Sequence, residues 1–322
     1  MVQQEIFGLV QDELSLLENE LAAIIQSEDD IMTDMGIHLL RAGGKRLRPA
    51  LYFLGAKAGK GNLADQMPAA VAIELIHMAT LVHDDVLDNA STRRNLITAN
   101  AKWGDHPSVL TGDYLFAKAF LLLAANNHKA ALSILTKEIC TICEGEIGQI
   151  RDSYRVMQCK EDYFVRIGKK TAGFIAVSCQ LGALAAGLSA AEVEGMYQYG
   201  YAVGMAFQIT DDILDVTASS EKIGKPAGND LKQGVLTLPV LYALEQSSHS
   251  EELKSIITAK DMPEEKVRRC LDIVRGTEAV EYSYQIATDY LETARKSLPD
   301  SLPGEVRAAL QTIADFIGVR QN

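Results

Sequence analysis

The sequence has little of what β-sheet proteins, secreted proteins and nucleic-acid-binding proteins usually need. Aromatic residues make up 6% of the 322 residues and only 8 are proline, whereas β-sandwiches and barrels generally use more aromatic and turn-forming residues. Five cysteines are few and odd in number, which indicates reduced thiols and a cytoplasmic protein rather than a disulfide framework. With 31 basic and 43 acidic residues the net charge is −12, which argues against nucleic acid as a partner.

Long apolar runs are also missing. The densest one, residues 119–125, is far shorter than the roughly 20 residues that cross a bilayer. The acidic N-terminal segment does not have the pattern of a signal peptide. We therefore expect no stable membrane anchor.

Helical periodicity, by contrast, runs through nearly the whole chain. Residues that favour helices dominate long stretches, and no linker or repeat divides them. Segments such as 171–188 are apolar almost all round, as in the middle of a large bundle. The sequence predicts one all-α domain, residues 1–322, built as a single large helical bundle. The predicted helices cover about 5–25, 29–41, 47–58, 67–89, 108–126, 129–153, 161–186, 190–217, 235–246, 249–259, 263–274, 277–297 and 302–318.

Three aspartates lie together near the end of one apolar helix, at Asp84, Asp85 and Asp88. Asp84 and Asp88 are four residues apart, so they fall within about 40° of each other on one face. Like charges repel there, and the helix dipole disfavours anions at this end. Divalent cations reverse that balance, and Mg²⁺ is bound by carboxylates, water and substrate phosphates. For one motif alone, a solvated acidic helix end remains a fair alternative.

The same arrangement recurs after a second apolar helix, at Asp211, Asp212 and Asp215. Two copies of one destabilising pattern make a solvated helix end a poor explanation. If the two helices are neighbours, six carboxylates face one another, and several divalent ions bridged by a diphosphate would hold them together.

Basic residues follow or precede these motifs and are suited to a large anionic ligand. They are Lys45, Arg46 and Arg48 after two glycines, Arg93 and Arg94 after the first motif, Lys169 and Lys170 before an apolar helix, and Lys222 and Lys225 after the second motif. Each cluster alone is most often a solvated face, but their placement in an acidic chain indicates a phosphate ligand. The GKKT segment at 168–171 is not a Walker A loop, because Tyr163 stands in place of its first glycine.

Taken in order, these segments resemble the trans-type isoprenyl diphosphate synthases, the head-to-tail prenyl-elongating family. The resemblance runs from about Gly43 to Leu244 and is strongest to bacterial medium- and long-chain polyprenyl synthases, especially the catalytic subunit of the heptaprenyl enzymes. It rests on GGKRLRP, ELIHMATLVHDDVLD, RR, GDYL, CEGEIGQI, RIGKKTA, FQITDDILD, IGKP, NDL and TLP. The implied fold is an isoprenoid-synthase bundle around a central substrate cavity.

The resemblance implies a role for each of these residues. The reaction would be a Mg²⁺-dependent condensation of isopentenyl diphosphate with an allylic diphosphate, using about three ions together with diphosphate. Asp84, Asp88 and Asp211 would bind the metal ions, with Asp85, Asp212 and Asp215 as further or water-mediated ligands. The departing diphosphate would contact Arg93, Lys170 and Lys225. The isopentenyl diphosphate subsite would comprise Lys45, Arg48, His77 and Arg94, and Thr171 and Gln208 would lie near the allylic cation.

Two segments depart from the family pattern. The loop after the first motif, usually RRGxPT, is Arg93-Arg94-Asn95-Leu96-Ile97-Thr98, so both arginines are retained although the glycine and proline are lost. Where many members have Gly-Lys before the TLP segment, this chain has Gly234-Val235. One diphosphate-binding lysine is therefore missing.

The residues before the first motif bear on product length. In the family, bulky aromatic residues four or five positions before the first aspartate stop the growing tail, whereas Thr80 and Ala79 are small and Ile76 lies deeper. The resemblance thus implies a product of about C30–C40, with heptaprenyl favoured, made from farnesyl diphosphate for quinone side chains. Simple helix packing would equally explain Ala79.

Two other functions stay open at this stage. A class I terpene synthase shares the first acidic motif, but it typically pairs it with an NSE-type motif rather than a second DDxxD. A non-catalytic subunit of a prenyl synthase complex would be free to lose its aspartates, which are all present here. The expected assembly is a homodimer, or a heteromer with a small regulatory subunit.

Overall fold

A computed structural model describes residues 7–94, 96–217 and 227–319, and the regular structure in these ranges is almost all helical. The helices, numbered along the chain, are α1 Gln11–Ile24, α2 Asp30–Arg41, α3 Leu47–Ala56, α4 Leu63–Leu87, α5 Ala99–Trp103, α6 Asp105–Ala125, α7 Lys129–Asp152, α8 Lys160–Ile167, α9 Gly173–Ala185, α10 Ala190–Thr217, α11 Asn229–Lys232, α12 Leu238–Gln246, α13 Ser250–Thr258, α14 Glu264–Arg275, α15 Ala279–Ser297 and α16 Gly304–Val319. A 3₁₀ turn, Gly8–Val10, precedes α1. The predicted all-α class is confirmed.

The chain divides into two compact units, and all but one of the boundaries between them fall inside helices. The first unit comprises Met1–Lys137, Val177–Tyr197 and Pro299–Leu310, and the second comprises Glu138–Ala176, Gln198–Leu298 and Gln311–Asn322. Each has fully buried large side chains of its own, such as Tyr52 in the first and Tyr163 in the second. The single domain expected from the sequence stays a prediction.

The longest helix of the first unit, α4, carries the first acidic motif at its end. It begins at Leu63, four residues before the predicted start, because the Asn62 side chain accepts a hydrogen bond from the Ala64 amide at 3.1 Å and caps the helix. The helix packs closely against α6. A Cβ atom on Gly112 would lie 2.2 Å from His83 Nε2, so a larger residue there would displace the imidazole ring.

A short hairpin follows α4 where the sequence predicted an irregular break. Strands β1, Thr92–Arg93, and β2, Leu96–Ile97, pair in antiparallel register. Two-residue strands are too short to produce a readable alternation in the sequence. The hairpin determines where the two arginines after the first motif lie.

In the second unit, a π-helical turn interrupts the helix predicted over 161–186. This turn, Gly168–Ala172, joins α8 to α9, and such turns often occur at functional sites. The helix that carries the second motif, α10, crosses it closely. A Cβ atom on Gly204 would lie 2.6 Å from Ala172 Cα, so the glycine brings α10 against the turn that contains Thr171.

One helix of the first unit leaves an apolar surface uncovered. By length and composition alone α6 is apolar enough to cross a membrane, although only 33% of its apolar window is buried. A single such helix is weak evidence for a membrane span. Leu110 and Leu121 on α6 are 61% and 66% exposed, so this helix has an exposed apolar surface.

Candidate active site

The first acidic motif separates its three carboxylates. Asp84 is half-buried and Asp88 is exposed at the end of α4, whereas Asp85 is only 3% exposed. Arg93 from β1 donates a hydrogen bond from Nε to Asp85 Oδ1 at 2.7 Å. Two carboxylates are thus accessible at the helix end, and the third holds the hairpin against α4.

An arginine that sequence analysis left without a role organises the start of α3. Arg46 occupies the N-cap position of α3 in a left-handed conformation, with φ at 49° and no capping hydrogen bond from its side chain, and it is buried. Its guanidinium contacts Glu74 at 2.7 Å and Glu18 at 2.5 Å. Burial opposes the positive charge, but the hydrogen bonds and ion pairs with the two glutamates outweigh it and raise the pKa of Arg46.

Next to it, Arg48 and His77 form a pair suited to an anion. Arg48 Nη1 donates to His77 Nε2 at 3.2 Å, so the neutral ring carries its proton on Nδ1. Desolvation holds the pKa of His77 well below its usual value, and nearby arginines lower it further. Desolvation also lowers the pKa of Arg48 to about 10, although Glu74 and Asp84 act against this, so Arg48 keeps its charge at neutral pH.

Arg94 completes this cluster. Its guanidinium lies against the backbone of the glycine pair, where a Cβ atom on Gly44 would be 2.9 Å from Arg94 Nη1. Desolvation and the neighbouring Arg93 and Arg46 lower the pKa of Arg94. The basic groups near His77 are Arg46, Arg48, Arg93 and Arg94. Mutual repulsion among them favours an anionic ligand, and the exposed Lys45 lies in the turn just before Arg46.

The resemblance assigns this cluster to isopentenyl diphosphate, and on that assignment we expect Arg94→Ala to raise the KM for isopentenyl diphosphate more than that for the allylic substrate. The guanidinium belongs to the cluster around His77, and a diphosphate there loses one charge-assisted contact worth about 1.5–3 kcal/mol, roughly a tenfold or greater change. Steady-state kinetics with each substrate varied in turn measure both constants. Arg41→Ala, an exposed arginine of the same unit, should leave both unchanged, and a larger rise for the allylic substrate would exchange the two subsites.

The second motif also buries its middle aspartate. Asp211 and Asp215 are half-buried, whereas Asp212 is 4% exposed. Tyr163 donates to Asp212 Oδ2 at 2.7 Å, and Gln208 Nε2 donates to Asp212 Oδ1 at 2.8 Å. Burial raises the pKa of Asp212 to about 7, although these hydrogen bonds favour the charged form. Burial and the adjacent carboxylate raise the pKa of Tyr163 well above its usual value, so the phenol stays a donor.

The third aspartate of this motif links α10 to the segment that follows it. Asp215 Oδ1 accepts from the Asn229 amide at 3.1 Å and Oδ2 from the Asp230 amide at 3.4 Å. These amides open α11, so the carboxylate caps that short helix. The Val235 amide donates to the Asp230 carbonyl at 2.8 Å, which places the position of the missing lysine just beyond α11.

Lys170 and Thr171 lie on the π turn. Lys170 Nζ is 2.8 Å from Glu146 Oε1 of α7. Thr171 donates from Oγ1 to Gln208 Oε1 at 2.9 Å, which joins two residues that sequence analysis paired. Lys225, predicted to contact the diphosphate, lies outside the described residues.

The predicted chain-length residues occupy different environments on α4. Ile76 and Ala79 are fully buried, whereas Thr80 is half-buried and donates to the His77 carbonyl at 2.8 Å. Ala79 lies about one turn before His83, whose ring packs against α6. The Ala79 side chain therefore points toward α6, and a larger side chain at this position would occupy space between α4 and α6.

In each acidic motif the first and last carboxylates lie outside the core, and carboxylate oxygens are suitable ligands for Mg²⁺. Within residues 7–94, 96–217 and 227–319, no group of three or more His, Cys, Asp or Glu side chains is arranged to hold a metal ion by itself. Each motif instead keeps two carboxylates outside the core. Mg²⁺ commonly binds through one or two carboxylates, water and substrate phosphates, so the residues fit that ion.

Sequence reasoning did not predict the contacts of three buried polar residues of the site. Arg46 and Glu74 form the ion pair below the basic cluster, and Tyr163 anchors Asp212. Glu74 did leave a signal, because an acidic residue inside an apolar helix is almost never buried without a partner. Nothing in the local sequence distinguishes Tyr163 from an ordinary core tyrosine.

Comparison with known proteins identifies the family to which the chain belongs. The family model described as polyprenyl synthetase matches residues 29–274. The chain therefore belongs to the polyprenyl synthetase family, whose members are prenyltransferases, and is itself a prenyltransferase.

Individual relatives show which members of this family the chain resembles. The chain is 44% identical to heptaprenyl diphosphate synthase component 2 of Geobacillus stearothermophilus, over 99% of each chain. It is 40% identical to the protein of the same name in Bacillus subtilis strain 168, over 98% of this chain and 90% of that one. A polyprenyl synthase from Caulobacter crescentus CB15, solved with calcium and isoprenyl diphosphate, superimposes with a TM-score of 0.94 at 34% identity, over 99% and 98% of the two chains. This likeness confirms the isoprenoid-synthase type of bundle.

Proposed function

We propose that this prenyltransferase is the catalytic chain of a trans-polyprenyl diphosphate synthase that joins isopentenyl diphosphate head-to-tail to an allylic diphosphate. The observation that supports this best is the basic cluster around neutral His77, in which Arg48 bonds to His77 and is attracted to Asp84. A diphosphate with a short apolar tail fits such a group. The retention of both acidic motifs supports a catalytic chain.

In this proposal the basic cluster binds isopentenyl diphosphate. Arg48 and Arg94 contact the phosphate oxygens, and Lys45 adds a flexible charge at the rim. Neutral His77 offers its Nδ1–H as a donor without adding another charge to repel the arginines. The clustered cations thereby hold the substrate with its double bond ready for alkylation.

The acidic motifs serve the allylic diphosphate. Asp84, Asp88 and Asp211 would hold Mg²⁺, with Asp85, Asp212 and Asp215 acting mainly through the hydrogen bonds described above. Held there, Mg²⁺ would supply the positive charge that makes the diphosphate a better leaving group. Arg93 and Lys170 add positive charge for the departing group.

Residues on the π turn and α10 act where the new carbon–carbon bond forms. When the allylic C–O bond breaks, positive charge develops on carbon, and the hydroxyl of Thr171 and the amide of Gln208 would lie nearby. The new C–C bond forms at the double bond of isopentenyl diphosphate, and the proton lost there passes to the released diphosphate. No side-chain base is required.

Product length and primer follow from the likeness to heptaprenyl relatives. We assign a medium-chain product of about C30–C40, with heptaprenyl diphosphate favoured and farnesyl diphosphate as primer, for quinone side chains. The small, buried Ala79 supports an open path past the first turn below the motif. We place the enzyme in the cytoplasm.

The assembly is proposed from an exposed apolar surface. Leu110 and Leu121 of α6 are largely exposed, and an apolar patch of this kind is typical of a subunit contact. The relatives' names include a component number, which supports a second, different subunit. A homodimer or a heteromer with a small regulatory subunit would cover this patch.

A product assay tests the proposed function. The chain, with any co-purifying partner, is mixed with farnesyl diphosphate, labelled isopentenyl diphosphate and Mg²⁺, and dephosphorylated products are separated by length. We expect a discrete long polyprenol and its loss on adding a chelator. Cyclic hydrocarbon formed without isopentenyl diphosphate would identify a terpene synthase instead. No incorporation even with the partner present would show a non-catalytic chain.

A further inference from the structure

One buried phenol at the site has no part in the function as described so far. Tyr163 of α8 is fully buried, and its hydroxyl donates to Asp212 Oδ2. Its ring is held between neighbours, with the guanidinium of Arg166 5.5 Å from the ring centroid and the Phe164 ring edge-on at 5.4 Å. Arg166 is itself fixed by hydrogen bonds to Gln158 and the Leu236 carbonyl. The phenol is therefore a rigid donor.

With Asp212 ionised, the form that its two hydrogen bonds favour, the hydrogen bonds that lead away from Tyr163 have only one consistent direction. The ionised carboxylate accepts hydrogen bonds and cannot donate them, so the Gln208 atom that faces Asp212 is its amide nitrogen. The amide oxygen of Gln208 then faces Thr171 and can only accept. The single proton of the Thr171 hydroxyl is committed to Gln208, and its oxygen lone pairs point elsewhere.

This direction matters for the chemistry proposed above. A positive charge on carbon is stabilised by oxygen lone pairs and opposed by an O–H proton, so the orientation of the Thr171 hydroxyl sets the sign of its effect. A free glutamine amide can turn over, because its two ends are nearly the same size. If Gln208 turned, its NH₂ group would face Thr171 and release the hydroxyl proton.

We infer that Tyr163 is a positioning residue that, through Asp212 and Gln208, fixes the Thr171 hydroxyl with its lone pairs toward the allylic cation. Asp212 makes one hydrogen bond with each oxygen, so the phenol prevents the carboxylate from rotating away from Gln208. This inference rests on the proposed function. It adds a residue that touches neither substrate nor metal.

The test compares two tyrosines that differ in location and not in chemistry. Tyr163→Phe removes the phenol oxygen and keeps the ring. Tyr52→Phe is the matched control, since Tyr52 is equally buried and donates to the Gln66 carbonyl at 3.0 Å in the first unit. We expect Tyr163→Phe to lower kcat by roughly 10- to 100-fold with both KM values near wild type. Tyr52→Phe should lose stability and retain kcat.

A double-variant cycle shows whether Tyr163 acts through Thr171. Without the Thr171 hydroxyl there is nothing left to orient, so Tyr163→Phe should cause little further loss of kcat in a Thr171→Val background. Thr171→Ser, which keeps the hydroxyl, should restore the full effect of Tyr163→Phe. Equal losses in the wild-type and Thr171→Val backgrounds, or an unchanged kcat in an active enzyme, would overturn the inference alone. A wild-type enzyme that forms no polyprenol overturns the proposed function and the inference with it.

Discussion

Replacing Asp84 or Asp211 by alanine is expected to abolish prenyl transfer, with kcat lower by roughly 10²–10³-fold or more. Each residue leads an acidic motif and keeps its carboxylate outside the core. The other accessible carboxylate of the motif, four residues later, cannot by itself hold a divalent ion against water. Turnover with farnesyl diphosphate, isopentenyl diphosphate and Mg²⁺ measures the loss, and raising Mg²⁺ should recover only part of it.

Folding should be nearly unaffected by Asp84→Ala, because loss of the attraction to Arg48 opposes the relief of repulsion at the helix end. The side chain lies near the C-terminal end of α4, where the helix dipole and Asp88 disfavour a second negative charge by about 0.3–1 kcal/mol. Circular dichroism and the unfolding midpoint give this comparison. Asp65→Ala is the matched control, because Asp65 lies exposed in the first turn of the same helix, and this variant should keep full turnover. Retained turnover in Asp84→Ala would contradict the metal assignment.

Ala79→Phe is expected to shorten the product to about C20, one isopentenyl unit added to the farnesyl primer and about half the length assigned to the wild type. Ala79 is fully buried on α4, about 7.5 Å along the helix from Asp84. A phenyl ring there has no room to turn outward, so it must occupy space on the α6 side. Chromatography of the dephosphorylated products gives the length distribution directly.

The length of the product should depend on where along α4 the phenylalanine is introduced. Thr80→Phe, closer to the motif, should give a product no longer than that of Ala79→Phe, and Ile76→Phe, about 12 Å from Asp84 along the helix, should stop the chain later. Ala287→Phe controls for overpacking, since Ala287 is fully buried in α15 of the second unit. It should cost about 1–3 kcal/mol of stability and leave product length unchanged. A wild-type product from Ala79→Phe would place the end of the tail elsewhere.

The helices and the acidic motifs could be predicted because both depend on the spacing of residues that are close together in the sequence. An apolar stripe repeats with the helical period, and aspartates four residues apart share a face whatever surrounds them. The grouping of Arg48, His77 and Arg94 came from the resemblance, and the structure brings them together around Arg46 and Gly44.

Which side chains bind each other inside the site could not be predicted in the same way. Asp85 and Asp212 are middle members of their motifs with nothing in the local pattern to set them apart. Yet one is bound by Arg93 and the other by Tyr163, residues 8 and 49 positions away. The hairpin and the π turn that bring these partners into reach are short, and short elements have no periodicity to detect.

The sequence by itself determined the all-α class, the two acidic motifs, the basic residues beside them and the membership of a prenyl-elongating family. These features depend on residue type and spacing along the chain, which folding does not change. Only the tertiary structure decided which carboxylates stay accessible, that His77 is neutral between arginines, and that Tyr163 directs a hydrogen-bond chain to Thr171. Those properties depend on burial and on contacts between distant residues, since desolvation and hydrogen-bond direction exist only after the helices pack.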